Sequence, residues 1–451
     1  MTASDQPTYE QLLEINRELL AQIAAMKQQI DELKGELEKL RNGPPKPPAL
    51  RDLPHFVRPN KPKREPKDKK QRRQRDQGFG RPLSVFTRTQ VHAIEKCPDC
   101  GRALTGESAH CSREVIDIPT VMVEVVKHLF LARWCGVCRK RRLPRQGEAL
   151  SNVVVGQRRI GVRLMSLIAH LVHICRMPVR TIQQLLNSLF GFSISSGGIV
   201  QLLKAVAQRG KKMYAQLRDE VRSSPFVHAD ETGWREDGVN GYLWSFSTPD
   251  VRYFVREPGR GHDVPERELG PSYNGILSTD FYAGYNYHRG LHQRCWVHLL
   301  RDVHKLCDAY PLDKPLQKWS KHLHTLYTQA ASSCWVRRSD RARAREMFQR
   351  NLLALARPYV DTAAPQAVLA KRLLKFKSEL FTFVEHPQVA PDNNAAERAI
   401  RPAVIARKVS GGTRSKEGSD TLVILMSIFQ TWKVRGLDPL EACVHMLCSP
   451  A

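Results

Sequence analysis

PFVHADETGW, residues 225–234, opens as a short apolar strand and reaches an acid, Asp230. Two further runs follow it, GYLWSFST at 241–248 and VRYFVRE at 251–257, with a Thr-Pro-Asp turn between them. Apolar and polar residues that alternate with a period of two, bounded by turn residues, are typical of half-buried strands. The segment therefore predicts an antiparallel meander of three strands.

A second strand that ends in an acid lies downstream, GILSTDFYAGY at 275–285, and its acid is Asp280. The polar stretch GHDVPERELG at 261–270 precedes it and predicts a short helix. We expect the two strands to present Asp230 and Asp280 side by side at one edge of a sheet. Adjacent carboxylates repel each other, and a hard divalent cation such as Mg²⁺ or Mn²⁺ removes the repulsion. Taken singly, an aspartate in such a place is more often a turn former or a helix cap.

A two-ion site needs a third acid, and the downstream sequence offers Glu379, Glu385, Asp392, Glu397 and Glu417. Glu397 lies in PDNNAAERAIRP at 391–402, in the first turn of a predicted helix. Arg401 and Lys408 share nearly the same helix face if the helix continues past the proline. The pattern also fits a capping box of Asn394 and Glu397, which is purely structural. The residues alone leave these two interpretations evenly balanced.

Lysine and arginine outnumber aspartate and glutamate by 71 to 45, which gives the 451-residue chain a formal charge of +26. A field of that sign indicates a polyanionic partner, nucleic acid first and an anionic membrane surface second. The sequence shows no apolar run long enough to cross a membrane and no secretory signal pattern. We therefore expect a cytoplasmic protein of about two to four structural units.

Residues 1–42 predict a coiled-coil helix. One seam of the heptad is Leu12, Leu19, Met26, Leu33 and Leu40, and the other is Asn16, Ile23, Ile30 and Leu37. Self-association is favoured because the Pro-rich segment 43–90 isolates the helix, and the alternative is an amphipathic helix packed on its own chain. That basic segment has too little apolar surface for a core and predicts a disordered linker. Binding of phosphate backbone and simple spacing suit its composition equally well.

Two Cys-x-x-Cys pairs, Cys97 with Cys100 and Cys135 with Cys138, predict a zinc ribbon over residues 91–148. Each pair presents two thiolates from a glycine-containing turn, and four soft ligands suit tetrahedral Zn²⁺. The stretch between the pairs, VIDIPTVMVEVVKHLFLARW, predicts strands. Its length exceeds the commonest spacing, and His110 with Cys111 offers substitute ligands. Redox chemistry and unliganded cysteines are the less favoured alternatives.

Residues 150–218 predict a helical domain with a helix-turn-helix. A helix from about Pro178 ends near Gly191, and a second helix begins after the serine caps at 193–196. The second helix would enter a DNA major groove, although structural helix hairpins share this punctuation.

Asp280 and Glu397 are 117 positions apart, and the basic, mainly helical sequence between them predicts an inserted subdomain at about 300–388. Zinc-ligand residue types occur at Cys295, His298, His304 and Cys307. Core packing on a helix is the favoured explanation for them. Residues 411–414, Gly-Gly-Thr-Arg, favour an ordinary loop over a phosphate cradle, and 411–451 predicts a carboxyl-terminal helical segment.

Several motifs together make the chain similar to the DDE transposases of insertion-sequence family 66. They are the leucine-repeat helix, the two cysteine pairs, HADETGW at Asp230, STDFYAGY at Asp280, CWVH at 295–298, DNNAAERAIRP at Glu397 and the closing segment from Gly411. The resemblance implies a multidomain α/β protein with an RNase H-like catalytic domain over residues 219–410. It also implies that Asp230, Asp280 and Glu397 form a Mg²⁺-binding triad, which favours the catalytic interpretation of Glu397.

The resemblance implies in-line displacement at phosphorus, with cleavage and strand transfer of an insertion sequence and no protein nucleophile. Candidate phosphate contacts are Arg398, Arg401, Arg407 and Lys408, each of which is also explained as solvated surface. The implied partners are DNA ends and target DNA, a second copy of the chain and helper proteins, in a nucleoid-associated bacterial setting. Two alternatives stay open: a non-enzymatic DNA-binding regulator or decayed transposase, and a nuclease of the same fold.

Overall fold

A computed structural model describes residues 9–41, 85–106, 109–118, 121–333 and 337–449. The chain divides into two compact units, Met1–Ile116 and Asp117–Ala451. Most of the predicted basic linker, residues 42–84, lies outside the described residues, as do the side chains of Leu12, Leu37 and Leu40. In the described residues, no helix is both long and apolar enough to cross a membrane.

The first unit contains one long helix, α1 (Tyr9–Arg41). Its described heptad residues are exposed apolar side chains, namely Leu19, Ile23, Met26, Ile30 and Leu33. The predicted helix is therefore confirmed, and its pairing into a coiled coil stays a prediction.

The second unit begins with a hairpin in which β1 (Arg133–Cys135) pairs antiparallel with β2 (Lys140–Arg142). The short helix α2 (Gln146–Ala149) follows. The strands predicted for residues 115–134 are absent from the described residues 115–118 and 121–132, and residues 133 and 134 lie in β1, so most of that prediction was wrong. Apolar side chains there, such as Met122 and Val125, are exposed, and alternation alone does not form a strand without a pairing partner and a layer to cover it.

A mixed five-stranded sheet forms the centre of the second unit. Its strands are β3 (Phe226–Glu236), β4 (Val239–Ser247), β5 (Arg252–Glu257), β6 (Ile276–Thr279) and β7 (His292–Arg294). Their spatial order is β5-β4-β3-β6-β7. The first three strands form the predicted antiparallel meander, whereas β3 with β6 and β6 with β7 pair in parallel. The predicted α/β class is confirmed.

Helices that precede the strands in the sequence and helices that follow them pack together around this sheet. They are α3 (Val162–His173), α4 (Val179–Phe190), α5 (Ser196–Ser223), α13 (Lys416–Val434) and α14 (Pro439–Cys448). At Gly210, α5 and α13 come so close that a Cβ atom would lie 2.5 Å from the Cδ1 of Ile428. The carboxyl-terminal helices are thus part of the same core as the sheet.

The predicted helix hairpin forms as expected. Gly191 ends α4 in the left-handed conformation, and the Ser195 hydroxyl caps α5 by accepting from the Gly198 amide. However, α5 is 28 residues long and buries Ile199, Leu202 and Val206 in the core. That face packs within the protein, so only its opposite face is available to a DNA groove.

The inserted subdomain has its own apolar core. Its helices are α7 (Trp296–Ala309), α8 (Lys314–Ala331), α9 (Arg341–Ala356), α10 (Ala367–Lys375) and α11 (Thr382–Glu385). Before the insertion, α6 (Asp263–Leu269) forms where the polar stretch predicted a helix, and after it α12 (Asn394–Ser410) returns the chain to the sheet. Pro402 lies inside α12, which continues to Ser410.

Candidate active site

The two aspartates lie on adjacent parallel strands. The β3–β6 pairing ends at His228 and Ser278, which are opposite each other, and each aspartate follows two residues later. Asp280 comes directly after β6, as predicted, whereas Asp230 lies within β3, which continues along β4 as far as Glu236. The parallel pairing of β3 with β6 ends before Asp230, whereas the antiparallel pairing of β3 with β4 continues to Glu236. Both aspartates lie just beyond the end of the parallel pairing.

Backbone amides fix one oxygen of each aspartate. The Asp230 Oδ1 accepts from the Glu231 amide at 2.9 Å, and the Asp280 Oδ1 accepts from the Tyr282 amide at 2.8 Å. Burial, followed by the charges of Glu231, Asp280 and Glu397, raises the pKa of Asp230 to about 7, while the hydrogen bond from the Glu231 amide acts in the opposite direction. Asp280 and Glu397 therefore lie close enough to Asp230 to disfavour its charged form.

Glu397 lies in the first turn of α12 and faces the start of α7. Its Oε1 is 3.6 Å from the His298 Nε2 and 3.9 Å from the Arg301 guanidinium. The capping box that competed with the catalytic interpretation does not form: the N-cap residue Asn393 makes no side-chain cap, and the Asn394 amide donates to the Asp392 Oδ1. The Glu397 carboxylate therefore does not act as a member of a capping box.

Asn393 joins the three segments that carry the site. Its backbone amide nitrogen donates to the Cys295 Sγ at 3.1 Å, and its side-chain Nδ2 donates to the Ala229 carbonyl at 2.9 Å. Its Oδ1 is 3.3 Å from the His228 Nδ1. The buried Asn393 side chain therefore ties the start of α12 to β3 beside Asp230, and its backbone amide ties it to the start of α7.

A buried arginine supports Asp280 from below. The Arg294 guanidinium donates to the Asp280 carbonyl at 2.8 Å and to the Asn286 side chain at 2.6 Å. It also pairs with Glu379 at 2.7 Å, which compensates the buried charge. Glu379, one of the five candidate acids, is therefore a structural partner of Arg294.

Sequence reasoning missed a fourth acid at this edge, Glu231. Its side chain is 2% exposed and receives hydrogen bonds from Tyr285 and Arg260. Burial raises the pKa of this carboxyl, while those two hydrogen bonds act in the opposite direction. The signal available in the sequence was an acid directly after Asp230 in a strand of otherwise alternating pattern.

The structure does not bring metal ligands together at coordinating spacing. Among the described residues, no group of three or more histidine, cysteine, aspartate or glutamate side chains is arranged to hold a metal ion. The predicted four-cysteine zinc site gains no support from it. Each pair does form a tight turn: the Gly101 amide donates to the Cys97 carbonyl, and the Cys138 amide donates to the Cys135 Sγ.

The second set of zinc-type residues is dispersed. Cys295 is buried against Asn393, His298 faces Glu397, His304 is exposed beside Asp308, and Cys307 belongs to the core of the inserted subdomain. Packing and local contacts, as favoured from the sequence, account for these four residues.

The four candidate phosphate contacts differ in their surroundings. Arg398, Arg401 and Lys408 are exposed on α12. Arg407 is half-buried, and its Nη1 donates to Thr232 and to the Gly233 carbonyl, which fastens the end of α12 to β3. A DNA contact by Arg407 therefore has to use another of its nitrogens.

The glycine pair after α12 is a structural turn. The Thr413 amide donates to the Arg235 carbonyl, and the Thr413 carbonyl accepts from the Asp237 amide. Gly412 has a φ of +130°, and a Cβ atom there would lie 2.1 Å from the Arg235 carbonyl oxygen. The ordinary loop favoured from the sequence is what forms.

These features describe a basic α/β protein with acids on two parallel strands and on a returning helix, and by class it is a DNA-processing enzyme. The chain belongs to the transposase IS66 family, whose model matches residues 157–421. The matched region contains all three candidate acids and the inserted subdomain. The family implies DNA binding, and transposases of the DDE type generally use a divalent metal.

Three proteins similar to this chain are uncharacterized. The uncharacterized protein y4jD of Sinorhizobium fredii (strain NBRC 101917 / NGR234) is 24% identical over 387 residues, which cover 76% of this chain and 72% of the relative. The uncharacterized protein y4jO of the same organism is 31% identical over 167 residues, 36% of this chain and 49% of the relative. A third, y4qI, is 24% identical over 262 residues, 50% of this chain and 48% of the relative.

Proposed function

We propose that the chain cleaves DNA at the ends of an insertion sequence and joins them to target DNA, with Asp230, Asp280 and Glu397 as its catalytic acids in an RNase H-like domain. The observation that carries the proposal is the position of Asp230 and Asp280 on adjacent parallel strands, with Asp280 and Glu397 among the charges that raise the pKa of Asp230. A half-buried aspartate whose pKa is raised first by burial and then by neighbouring acids is an arrangement that costs stability. A bound cation converts that cost into binding affinity.

The donor set suits magnesium or manganese. All three groups are carboxylates, hard oxygen ligands that these ions prefer. The Oδ1 atoms of Asp230 and Asp280 are oriented by hydrogen bonds from backbone amides. When bound, divalent ions supply Lewis acidity to the attacking and leaving oxygens of an in-line displacement at phosphorus.

The protein's own residues orient the reacting groups. Asn393 and Cys295 hold Glu397 against β3, and Arg294 holds the backbone of Asp280. Exposed cations on α12, Arg398, Arg401 and Lys408, are proposed to bind the flanking DNA backbone. Helix α1, with its exposed apolar seam, is proposed to associate with the same helix of a second copy.

The test is an assay of the purified full chain with Mg²⁺ and a labelled duplex that carries the DNA flanking its gene. We expect cleavage and joining with the wild type, and a loss of about 10³-fold, equivalent to about 4 kcal/mol, in Asp280→Ala. Glu417→Ala is the matched control, because Glu417 is an exposed acid that pairs with Lys204.

Equal rates in Asp280→Ala and the wild type contradict the assigned triad. Cleavage without joining identifies a nuclease of the same fold. Binding of the duplex without cleavage under any divalent metal identifies the DNA-binding regulator.

A further inference from the structure

A cationic side chain lies at the edge of the candidate active site and has no role in the function as proposed so far. Arg260 belongs to the loop between β5 and α6, 29 positions after Glu231. Its Nε donates to the Glu231 Oε1 at 2.8 Å, and its Nη2 donates to the same oxygen. The Glu231 carboxylate is 2% exposed, whereas the Arg260 side chain is 41% exposed, so the pair leads from the interior to the surface.

Aromatic residues of the Asp280 segment fix the position of this arginine. The Arg260 guanidinium lies over the Tyr282 ring, 3.8 Å from its centroid, and the Tyr282 hydroxyl donates to the Arg260 carbonyl. Tyr285 donates its hydroxyl to the other oxygen of Glu231. Because the Tyr282 amide also bonds the Asp280 carboxylate, the guanidinium and that carboxylate are positioned by one residue.

Arg260 retains an unused hydrogen-bonding edge. Nε and Nη2 are both directed at Glu231, and among the described residues Nη1 donates to no protein acceptor. Both oxygens of Glu231 accept hydrogen bonds, Oε1 from Arg260 and Oε2 from Tyr285, so this carboxylate serves to hold the guanidinium in place. A planar guanidinium that is stacked, paired on one edge and exposed on the other is suited to bind a phosphate oxygen.

We propose that Arg260, held by Glu231 and Tyr282, binds the DNA phosphate at the point of cleavage. A fixed cation beside the carboxylates stabilises the negative charge that spreads over the phosphoryl oxygens during displacement. Its preorganisation avoids the entropy cost of ordering a free arginine when DNA binds. This inference rests on the proposed function, because it assumes that the reacting phosphate lies at Asp280.

Two measurements on the full chain test it. In the first, affinity for the flanking-DNA duplex is measured without metal at several salt concentrations. Arg260→Ala is expected to lower the slope of log K against log salt by about 0.9, the value for one lost phosphate contact. In the second, single-turnover cleavage with Mg²⁺ is expected to fall about 100-fold.

Arg267→Ala is the matched control. Arg267 is 50% exposed and pairs with Glu257 and Glu268, so it is a paired, partly exposed arginine like Arg260 that does not contact Glu231. Its loss is expected to leave both the salt slope and the cleavage rate unchanged. Arg260→Lys keeps the charge without the fork, and we expect it to keep the slope while cleavage falls about tenfold.

The outcomes separate this inference from the proposed function. An unchanged salt slope in Arg260→Ala overturns the phosphate contact, even when the wild type cleaves. A lowered slope with a wild type that never cleaves supports the contact and refutes the proposed catalysis. A lower melting temperature with an unchanged slope assigns Arg260 a structural role only, which also overturns the inference.

Discussion

The helical layer around α5 and α13 and the edge of the sheet at Asp230 follow opposite physical rules. In the helical layer, Ile199, Ile428 and Phe429 are fully buried apolar side chains, and burial is favourable for each of them. At the sheet edge, Asp230 is half-buried and the Glu231 carboxylate is buried, and desolvation disfavours the charged form of both. The helical layer therefore stabilises the fold, whereas the acids at the sheet edge destabilise it. The following experiments change these two contributions to the free energy of unfolding.

Phe429→Ala attacks the stable region and should have the largest effect. Phe429 is 0% exposed and lies 5.1 Å from the Trp432 ring and 5.7 Å from the His173 ring, measured between centroids. We expect the free energy of unfolding to fall by about 3–5 kcal/mol, measured by urea denaturation. Leu437→Ala, at a residue that is 51% exposed, should change it by less than about 0.5 kcal/mol. A small loss in Phe429→Ala would show that this layer is not the main source of stability.

Asp230→Asn attacks the costly region and should stabilise the metal-free protein. Since the pKa of Asp230 is about 7 in the fold and about 3.8 when unfolded, the native state holds the proton more tightly between these values. Stability from this group is present at low pH and is lost as pH rises through about 7. At pH 8 we expect Asn to raise the free energy of unfolding by about 2–4 kcal/mol, while cleavage is abolished.

The gain should disappear below about pH 4, where both variants are neutral at this position. It should also shrink when Mg²⁺ is added, because only the wild type gains stability from a bound cation. Asp237→Asn, in the exposed turn after β3, is the control and should leave the unfolding curve unchanged at every pH. A destabilised Asp230→Asn at pH 8 would contradict the electrostatic cost assigned to the site.

Asn393→Ala acts within the sheet-edge region, where Asn393 connects α12 to β3, and should have the smallest effect on stability. It removes the hydrogen bond to the Ala229 carbonyl and the contact with His228, in a position that is 1% exposed. We expect a loss of about 1–3 kcal/mol in unfolding free energy. At a temperature well below unfolding, this loss of stability alone should hardly change the fraction of folded protein. The cleavage rate should nevertheless fall, because Asn393 no longer holds Glu397 in position. Asn351→Ala, exposed on α9, is the control.

Short sequence patterns predicted the parts of the fold that depend on a few neighbouring residues. The meander, the strand before Asp280 and the caps at Gly191 and Ser195 were all predicted, since alternation and capping residues act over a few positions. The strands expected at 121–132 failed because a strand also needs a partner and a covering layer. The position of Asp230 within β3 depended on where β6 ends, which its own neighbours do not encode.

The candidate site was predictable only as a set of acids. The motifs identified Asp230, Asp280 and Glu397, but the residues that position them come from other parts of the chain. Arg260 reaches Glu231 across 29 positions, and Asn393 reaches Ala229 across 164. Such partners leave no periodic signal, because a side-chain hydrogen bond between distant segments depends on tertiary approach.

Pro402 lies inside α12, between Glu397 and Arg407. Glu397 lies on the amino-terminal side of the proline, and Arg407, bonded to Thr232 and Gly233, lies on the carboxyl-terminal side. Proline supplies no amide hydrogen, so the helix lacks one of its rungs between them. Because Asn393 ties the amino end of α12 to β3 and Arg407 ties the carboxyl end, any bending of the helix is confined to the span around the proline between two fastened ends.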